Sequence, residues 1–341
     1  MNFASDNIAG VHPRIMEALQ SANAGFSPSY GADDLTASLE ARLKDIFETD
    51  LAVFPVATGS AANCLALSAL SPPWGAIYCH DHAHIFDDEC CGPEFYTGGA
   101  KLYPVEAEHG RLTVEGLRAG LGRFKAGFDH HPQPAAISLT QCTEWGAVYP
   151  VDRIAALSDL AHAHGCRVHM DGARFANALA SLDVSPAEMT WKAGVDALSF
   201  GATKNGAMAA EAVIFFDTDL AKDFIYRRKR AGHLFSKMRF LSAQLLAYLE
   251  DDLWLENARH ANRAAARLHD GLARLNSVAF AAPVEANELF VALPEDTAAL
   301  LREAGASFHT MSKDGRDVSR LVTSFATGDD EVDRFIGICG G

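Results

Sequence analysis

Three short stretches carry side chains whose types and spacing suit chemistry. The first is ATGSAANCLALSAL at 57–70, where Thr58, Gly59 and Ser60 close an apolar run and open a segment with Leu65, Leu67 and Leu70 behind them. A helix N-terminus there would present unpaired N–H groups and the positive end of the helix dipole, which together suit a phosphate. Ser60 is also a preferred capping residue, so the same letters describe a plain helix start. They form neither a Walker A loop, which ends Gly-Lys-Ser/Thr, nor a GxGxxG turn. The second stretch is HMDGARF at 169–175, with Asp171 and Arg174 just past the apolar run Arg167–Met170. A carboxylate there can pair with a protonated ring nitrogen, and an arginine can take a carboxylate bidentately. Asp171 and Arg174 could equally pair with each other. The third is DALSFGATKNG at 196–206, where Lys204 follows the apolar run Ala197–Phe200. A lysine is ordinarily a solvated surface residue. Small neighbours at a strand end leave room for a flat cofactor, and the amine can form a Schiff base.

A phosphate cradle, a carboxylate for a pyridine nitrogen and an imine-forming lysine occur in that chain order. Together they describe the anchor points of pyridoxal 5′-phosphate (PLP), and the set is far more specific than its parts.

The elements that must position these groups are legible as short runs rich in Val, Ile, Phe and Ala that alternate with segments of helical period. That alternation is the signature of a parallel sheet covered by helices. Predicted strands are Ala52–Val56, Ala76–Cys79, Lys101–Val105, Ala135–Leu139, Arg167–Met170, Ala197–Phe200 and Ala212–Phe216. Between the fourth and fifth, Val151, Ile154, Leu157 and Ala161 recur at intervals of three and four, and Gly165 stands where a helix C-cap belongs. This is one βαβ crossover, and it puts the chemical residues at carboxyl ends of strands, where α/β proteins build their sites. After Asp217 the text becomes amphipathic and helical, from Leu220 to about Leu249 and from Asn257 to Leu275, followed by strand-like pieces at Glu288–Leu293 and Arg320–Thr323. The predicted division is an N-terminal segment 1–25 that contributes to the site and the smaller unit, a large cofactor-binding domain 26–245 and a small α+β C-terminal domain 246–341. No internal repeat or flexible linker separates them.

Composition narrows the function classes. The 341 residues are 49% hydrophobic and 21% charged, as in an ordinary globular protein. A net charge of −15 repels phosphate backbones and anionic lipid, so nucleic-acid and membrane-surface roles are not expected. No apolar run approaches the roughly 18 to 20 residues needed to span a bilayer. The start MNFASDNIAG lacks the basic and apolar regions of a signal peptide. Seven cysteines, among them Cys64, Cys79, Cys142 and the adjacent Cys90 and Cys91, show neither a disulfide framework nor paired C-x-x-C motifs. The expectation is a cytoplasmic protein with reduced thiols.

Several motifs together resemble the threonine aldolase family: SDN at 5–7, YGADD at 30–34, ATGSAAN at 57–63, AHIFDDE at 83–89, HMDGARFANAL at 169–179, FGATKNG at 200–206 and SRLVTSFAT at 319–327. The likeness runs from about residue 3 to the end, and TKNGAMAAEAV is closer to the bacterial low-specificity and phenylserine-type aldolases. It implies a fold-type I PLP enzyme with a mainly parallel seven-stranded sheet. It also implies that Lys204 carries the cofactor, Asp171 meets the pyridine nitrogen, Gly59 and Ser60 bind the phosphate, and Ser5, Arg174 and Arg320 hold the substrate carboxylate. His84 falls where the family places an imidazole over the ring.

The resemblance implies cleavage of L-threonine, L-allo-threonine and related β-hydroxy-α-amino acids, including phenylserine, to glycine and an aldehyde. The carboxylate clamp would set the Cα–Cβ bond perpendicular to the ring, and a base near the β-hydroxyl, His84 directly or through water, would take its proton. Another fold-type I reaction, β-elimination or transamination, would use the same anchors. His80, His82 and His84 alternate and so invite a zinc reading on one face of an extended segment, but no patterned fourth ligand accompanies them and no metal is expected. At TEWG, 143–146, many relatives carry a second histidine where this chain has Glu144, which leaves the identity of the base open. Tyr30, Arg228 and Lys229 are expected to reach a neighbouring subunit's site in a homodimer or homotetramer, although YRRKRAGH can also be read as a solvated helix face.

Overall fold

The computed structural model describes residues 1–313 and 315–341. Seven strands form the large sheet: β1 (Ala52–Val56), β2 (Gly75–Cys79), β3 (Lys101–Pro104), β4 (Gln133–Thr140), β5 (Arg167–Gly172), β6 (Ala197–Gly201) and β7 (Glu211–Phe215). Their spatial order is β1-β7-β6-β5-β4-β2-β3, and only β7 runs against its two neighbours. Strands β2, β6 and β7 are buried at every residue, as a sheet covered on both faces requires, which explains why they read as unbroken apolar runs. All seven lie where the sequence pattern put them, within a residue or two at most ends.

The carboxyl ends of β5 and β6 approach closely because each carries a glycine. A Cβ on Gly201 would come within 2.7 Å of the carbonyl oxygens of Gly172 and Ala173, and one on Gly172 would meet the Ser199 oxygen at 2.7 Å. That closeness brings the loop after β6 beside the end of β5.

Four further strands, β8 (Ala279–Phe280), β9 (Glu288–Ala292), β10 (His309–Lys313) and β11 (Arg316–Val322), pair antiparallel in the order β8-β9-β11-β10. Their apolar face packs on the helices Leu253–Leu272 and Asp329–Gly340 through Leu268, Leu289, Leu321 and Phe335. The N-terminus is woven into this sheet. Phe3 donates its N–H to the Ser307 oxygen (2.8 Å), accepts from the Val322 N–H (2.8 Å), and sets its ring on Phe335 at 5.1 Å.

The helical text from Leu220 to Leu249 is not continuous. It divides into Phe224–Arg230 and Arg239–Leu249, and the chain between them turns at Gly232, whose φ is +76°. Both pieces bury apolar residues against the large sheet, Phe224 on one face and Leu241 and Leu245 on the other. Periodicity continued through the break because both helices pack on that sheet.

Candidate active site

A cavity of about 410 Å³ opens at the carboxyl ends of β1, β4, β5 and β6. Gly59, Ser60, His84, Asp171, Arg174 and Lys204 all line it, together with Asn63, Glu144 and Glu211. The chain thus gathers residues that are 145 positions apart, Gly59 to Lys204, on one floor.

The helix Gly59–Leu70 begins at the cavity. Its N-cap is Thr58, not Ser60: Thr58 Oγ1 accepts from the Ala61 N–H at 3.2 Å. The first amides of a helix have no intrahelical partner, and a Cβ on Gly59 would meet nothing within 4 Å, so the cradle is open on that side. Asp171, at the end of β5, is buried. Its Oδ2 accepts from Asn63 Nδ2 at 2.7 Å and its Oδ1 from the Ala173 N–H at 3.0 Å. Asp171 and Arg174 therefore do not pair with each other.

Lys204 sits in a tight turn, Thr203–Asn205, that is pinned from two sides. Asn205 Nδ2 donates to Tyr248 Oη and to the Trp254 oxygen, both at 2.8 Å. Glu211 of β7 accepts from the Ala202 N–H at 3.0 Å, and burial pushes its carboxyl up to about 7. Among the described residues Lys204 Nζ makes no ion pair or hydrogen bond, which leaves the amine free on the cavity floor. An open helix N-terminus for an anion, a buried carboxylate and an uncommitted amine around one cavity form a donor set that fits PLP.

Arg174 is committed to two buried acids. Nε and Nη2 grip Asp6 at 2.7 and 3.1 Å, and Nη1 lies 3.0 Å from Glu288 Oε2, out of line for a hydrogen bond. Desolvation opposes charge at Asp6, yet Arg174, Lys204 and Asn287 together outweigh it and hold that carboxyl below its usual range. At Glu288 desolvation wins and the carboxyl is raised. Ser5 caps the turn Asp6–Ile8 by accepting from the Asn7 N–H, and Asn7 lines the cavity. Arg320 Nη2 donates to the Ala4 oxygen at 3.2 Å, and its Nε is buried without a partner. Ser5 and Arg320 thus stand beside the Arg174 cluster rather than on the cavity floor.

The three alternating histidines do not share a face. His80 is buried, with Nε2 2.5 Å from Glu144 Oε2, His82 is exposed beside Asp87, and His84 opens the short helix His84–Asp87. The extended segment that the zinc reading needed is absent, because the chain turns into that helix. Glu144 is half-buried in the cavity wall and also accepts from the His84 N–H (2.6 Å) and Thr140 Oγ1 (3.1 Å). Burial pushes its carboxyl up, but His80 and the backbone N–H groups of His84 and Glu144 outweigh that and leave it below its ordinary value. His84 Nδ1 lies 2.9 Å from Glu89 Oε1, and that hydrogen bond is the largest cause raising its pKa. Asn63, Glu89, Asp6 and Glu211 were not singled out in the sequence. All four lie inside the quoted motifs SDN, AHIFDDE, ATGSAAN and TKNGAMAAEAV, and that membership is the one signal that could have pointed to them.

Tyr30, Arg228 and Lys229 lie away from the cavity. Tyr30 is half exposed with Lys229 Nζ 4.9 Å over its ring. Arg228 is buried against Phe54 of its own chain, 5.2 Å from ring centre, its Nε has no partner, and burial pushes its pKa down to about 10. The basic run is therefore not a wholly solvated face.

Comparison with known proteins agrees with this geometry. Residues 2–296 match the model of the beta-eliminating lyase family. The low specificity L-threonine aldolase of Pseudomonas aeruginosa is 44% identical over 331 residues, 97% of this chain and 94% of that protein. A solved Leishmania major threonine aldolase superposes with a TM-score of 0.93 at 28% identity, covering 99% of this chain and 98% of that one. A Sphingomonas wittichii serine palmitoyltransferase, at 17% identity and TM-score 0.72 over 99% of this chain and 86% of its own, shares the fold alone. A family match across most of the chain, with a relative this similar along nearly its full length, makes the chain a member of the beta-eliminating lyase family, in its threonine aldolase branch.

Proposed function

We propose that this chain is a PLP-dependent aldolase that cleaves L-threonine, L-allo-threonine and related β-hydroxy-α-amino acids, phenylserine included, to glycine and an aldehyde. The observation that carries the reading is the meeting of Lys204, Asp171 and the open N-terminus of helix Gly59–Leu70 on one cavity in a chain 44% identical to a low specificity L-threonine aldolase. When bound, PLP supplies an electron sink for the pair released as the Cα–Cβ bond breaks. The residues do the rest. Lys204 holds the cofactor covalently through its amine, Asp171 meets the pyridine nitrogen, and the Gly59 and Ser60 amides take the phosphate. Arg174, backed by Ser5 and Arg320, orients the substrate carboxylate, which fixes the hand at Cα and excludes D-substrates. His84 removes the proton of the β-hydroxyl. Glu144 is the weaker candidate for that proton, because three donors already engage its oxygens.

The apolar rings of Phe26, Tyr30 and Tyr226 stand exposed, and this supports a homodimer or homotetramer in which Tyr30 and Lys229 face a neighbouring subunit. Arg228 reaches such a neighbour only if it leaves Phe54. No helix among the described residues is long and apolar enough to cross a membrane, and the composition supports a cytoplasmic location.

The family model is named for β-elimination, so the decisive test is product identity. Incubation with L-threonine should release acetaldehyde and glycine in equal amounts, and D-threonine should be inert. Keto acid and ammonia without acetaldehyde would overturn the proposal in favour of an eliminating lyase, and keto acid dependent on a second keto acid would favour an aminotransferase.

A further inference from the structure

His84 is held at two points by two carboxylates from different parts of the chain. Glu144 takes its backbone N–H at 2.6 Å, and Glu89 faces its ring nitrogen Nδ1 at 2.9 Å. The Glu89 side chain is wholly buried. Its Oε1 also accepts from Asn63 Nδ2 at 2.9 Å and its Oε2 from the Cys64 thiol at 3.3 Å. The same Asn63 amide nitrogen donates to Asp171 Oδ2 at 2.7 Å. The orientation of that amide is fixed by chemistry, since turning it over would set its oxygen against two carboxylates. With two donors already on it, Glu89 acts as an acceptor, and the contact to His84 requires the hydrogen on Nδ1.

We infer that Glu89 is a positioning residue for the reaction: it holds His84 as the Nδ1–H tautomer, leaves Nε2 as the nitrogen that takes the substrate's proton, and through Asn63 ties that ring to the carboxylate of Asp171. This rests on His84 being the base. In the step it serves, the O–H bond of the β-hydroxyl breaks and an Nε2–H bond forms. The oxygen's electron pair becomes the new carbonyl bond as Cα–Cβ parts, the Cα–Cβ pair leaves with the glycine fragment and takes a proton from water at Cα, and Nε2 returns its own proton to water. Glu89 faces the resulting imidazolium and stabilises it, as a carboxylate partner does for other catalytic histidines. The groups acting on the ring are Glu89 and Asp171, which favour its charge, and Lys204 and burial, which oppose it.

Nitrogen-15 NMR of histidine side chains in the full-length protein tests the tautomer without reference to turnover, His84 being assigned by loss of its signal in His84→Phe. Wild-type His84 should titrate above an ordinary histidine and, in the neutral ring on the alkaline side of that titration, should carry its hydrogen on Nδ1. Glu89→Gln should lower that titration, move the acidic limb of kcat/KM to lower pH and reduce kcat about 10- to 100-fold with KM little changed. In a His84→Phe background Glu89→Gln should cost nothing more. A wild-type ring protonated on Nε2 instead would overturn the inference even if the variant failed to fold. So would an unchanged His84 titration in Glu89→Gln, or additive losses in the double variant. An unchanged kcat in His84→Phe would instead remove His84 as base and leave Glu89 without a catalytic role, an outcome separable from the tautomer result.

Discussion

Lys204 and Asp171 make separate demands on the site, and their variants should separate too. Lys204→Ala should abolish turnover and the absorbance band expected at about 420 nm for PLP bound through a lysine, while the protein still folds and holds the cofactor non-covalently. Retained activity and absorbance would place the anchor at another lysine. Asp171→Ala removes a charge-assisted hydrogen bond in a buried setting, worth about 2 to 3 kcal/mol, and leaves the Asn63 amide nitrogen with Glu89 as its one remaining acceptor. Cofactor retention, measured by equilibrium dialysis, and kcat should both fall. His84→Phe keeps a flat ring, so cofactor binding should survive while kcat drops by about 10² to 10⁴, the usual contribution of a general base. Near-normal kcat would reduce His84 to a stacking partner and make Glu144→Gln the next variant to assay.

At the scale of elements, the turn that carries Lys204 depends on β7 as much as on β6. Glu211 reaches across from β7 to the Ala202 N–H, and its buried carboxyl is raised to about 7. A carboxyl whose pKa is raised on folding stabilises the fold fully below its unfolded value, and that contribution is lost as pH climbs through the folded value. Wild-type stability should therefore decline from about pH 5 to pH 8 through this group, by up to ~3 kcal/mol. Glu211→Gln cannot ionise, so urea unfolding at a series of pH values should show the variant gaining on wild type as pH rises. A constant difference between the two would show that Glu211 is already ionised in the fold. The gain in stability need not help catalysis, because Gln presents one acceptor oxygen where Glu presents two to the Ala202 and Thr203 amides.

At the scale of the whole molecule, the site is closed by segments from both ends of the chain. Asp6, on the turn after the N-terminal strand-like segment, holds Arg174 and also accepts from Asn287 Nδ2 at 3.1 Å, while Arg320 donates to the Ala4 oxygen. The smaller sheet thereby touches the chemistry through the N-terminal segment. Removal of residues 1–8 should lower both stability and substrate affinity, because Arg174 loses its bidentate partner and Phe3 leaves the core of the smaller sheet. Assembly belongs to this scale as well. Light scattering at micromolar concentration should report a dimer or tetramer for the active species. An active monomer would overturn the assembly and remove Tyr30 and Lys229 from any role in a neighbour's site.

Local pattern by itself determined the strands, the crossover helix Val151–Ala163 and the positions of Lys204, Asp171 and Gly59 at strand or helix ends, because burial on both faces and helix capping leave their marks within a few residues. The motif letters were enough to bring the threonine aldolase family into view. What decided the electrostatics of the site came from contacts between residues far apart in the chain: Asp6 with Arg174, Glu144 with His80 and His84, and Asn63 with Asp171. No spacing rule relates such partners, since the order β1-β7-β6-β5-β4-β2-β3 that brings them together is a property of the packed sheet. The break between Phe224–Arg230 and Arg239–Leu249 was hidden for a related reason: both pieces keep an apolar stripe toward one sheet, and periodicity records burial, not continuity. Likewise, alternating histidines share a face only if the chain is extended, and it was the turn into helix His84–Asp87 that sent His80 to Glu144 and His84 to Glu89.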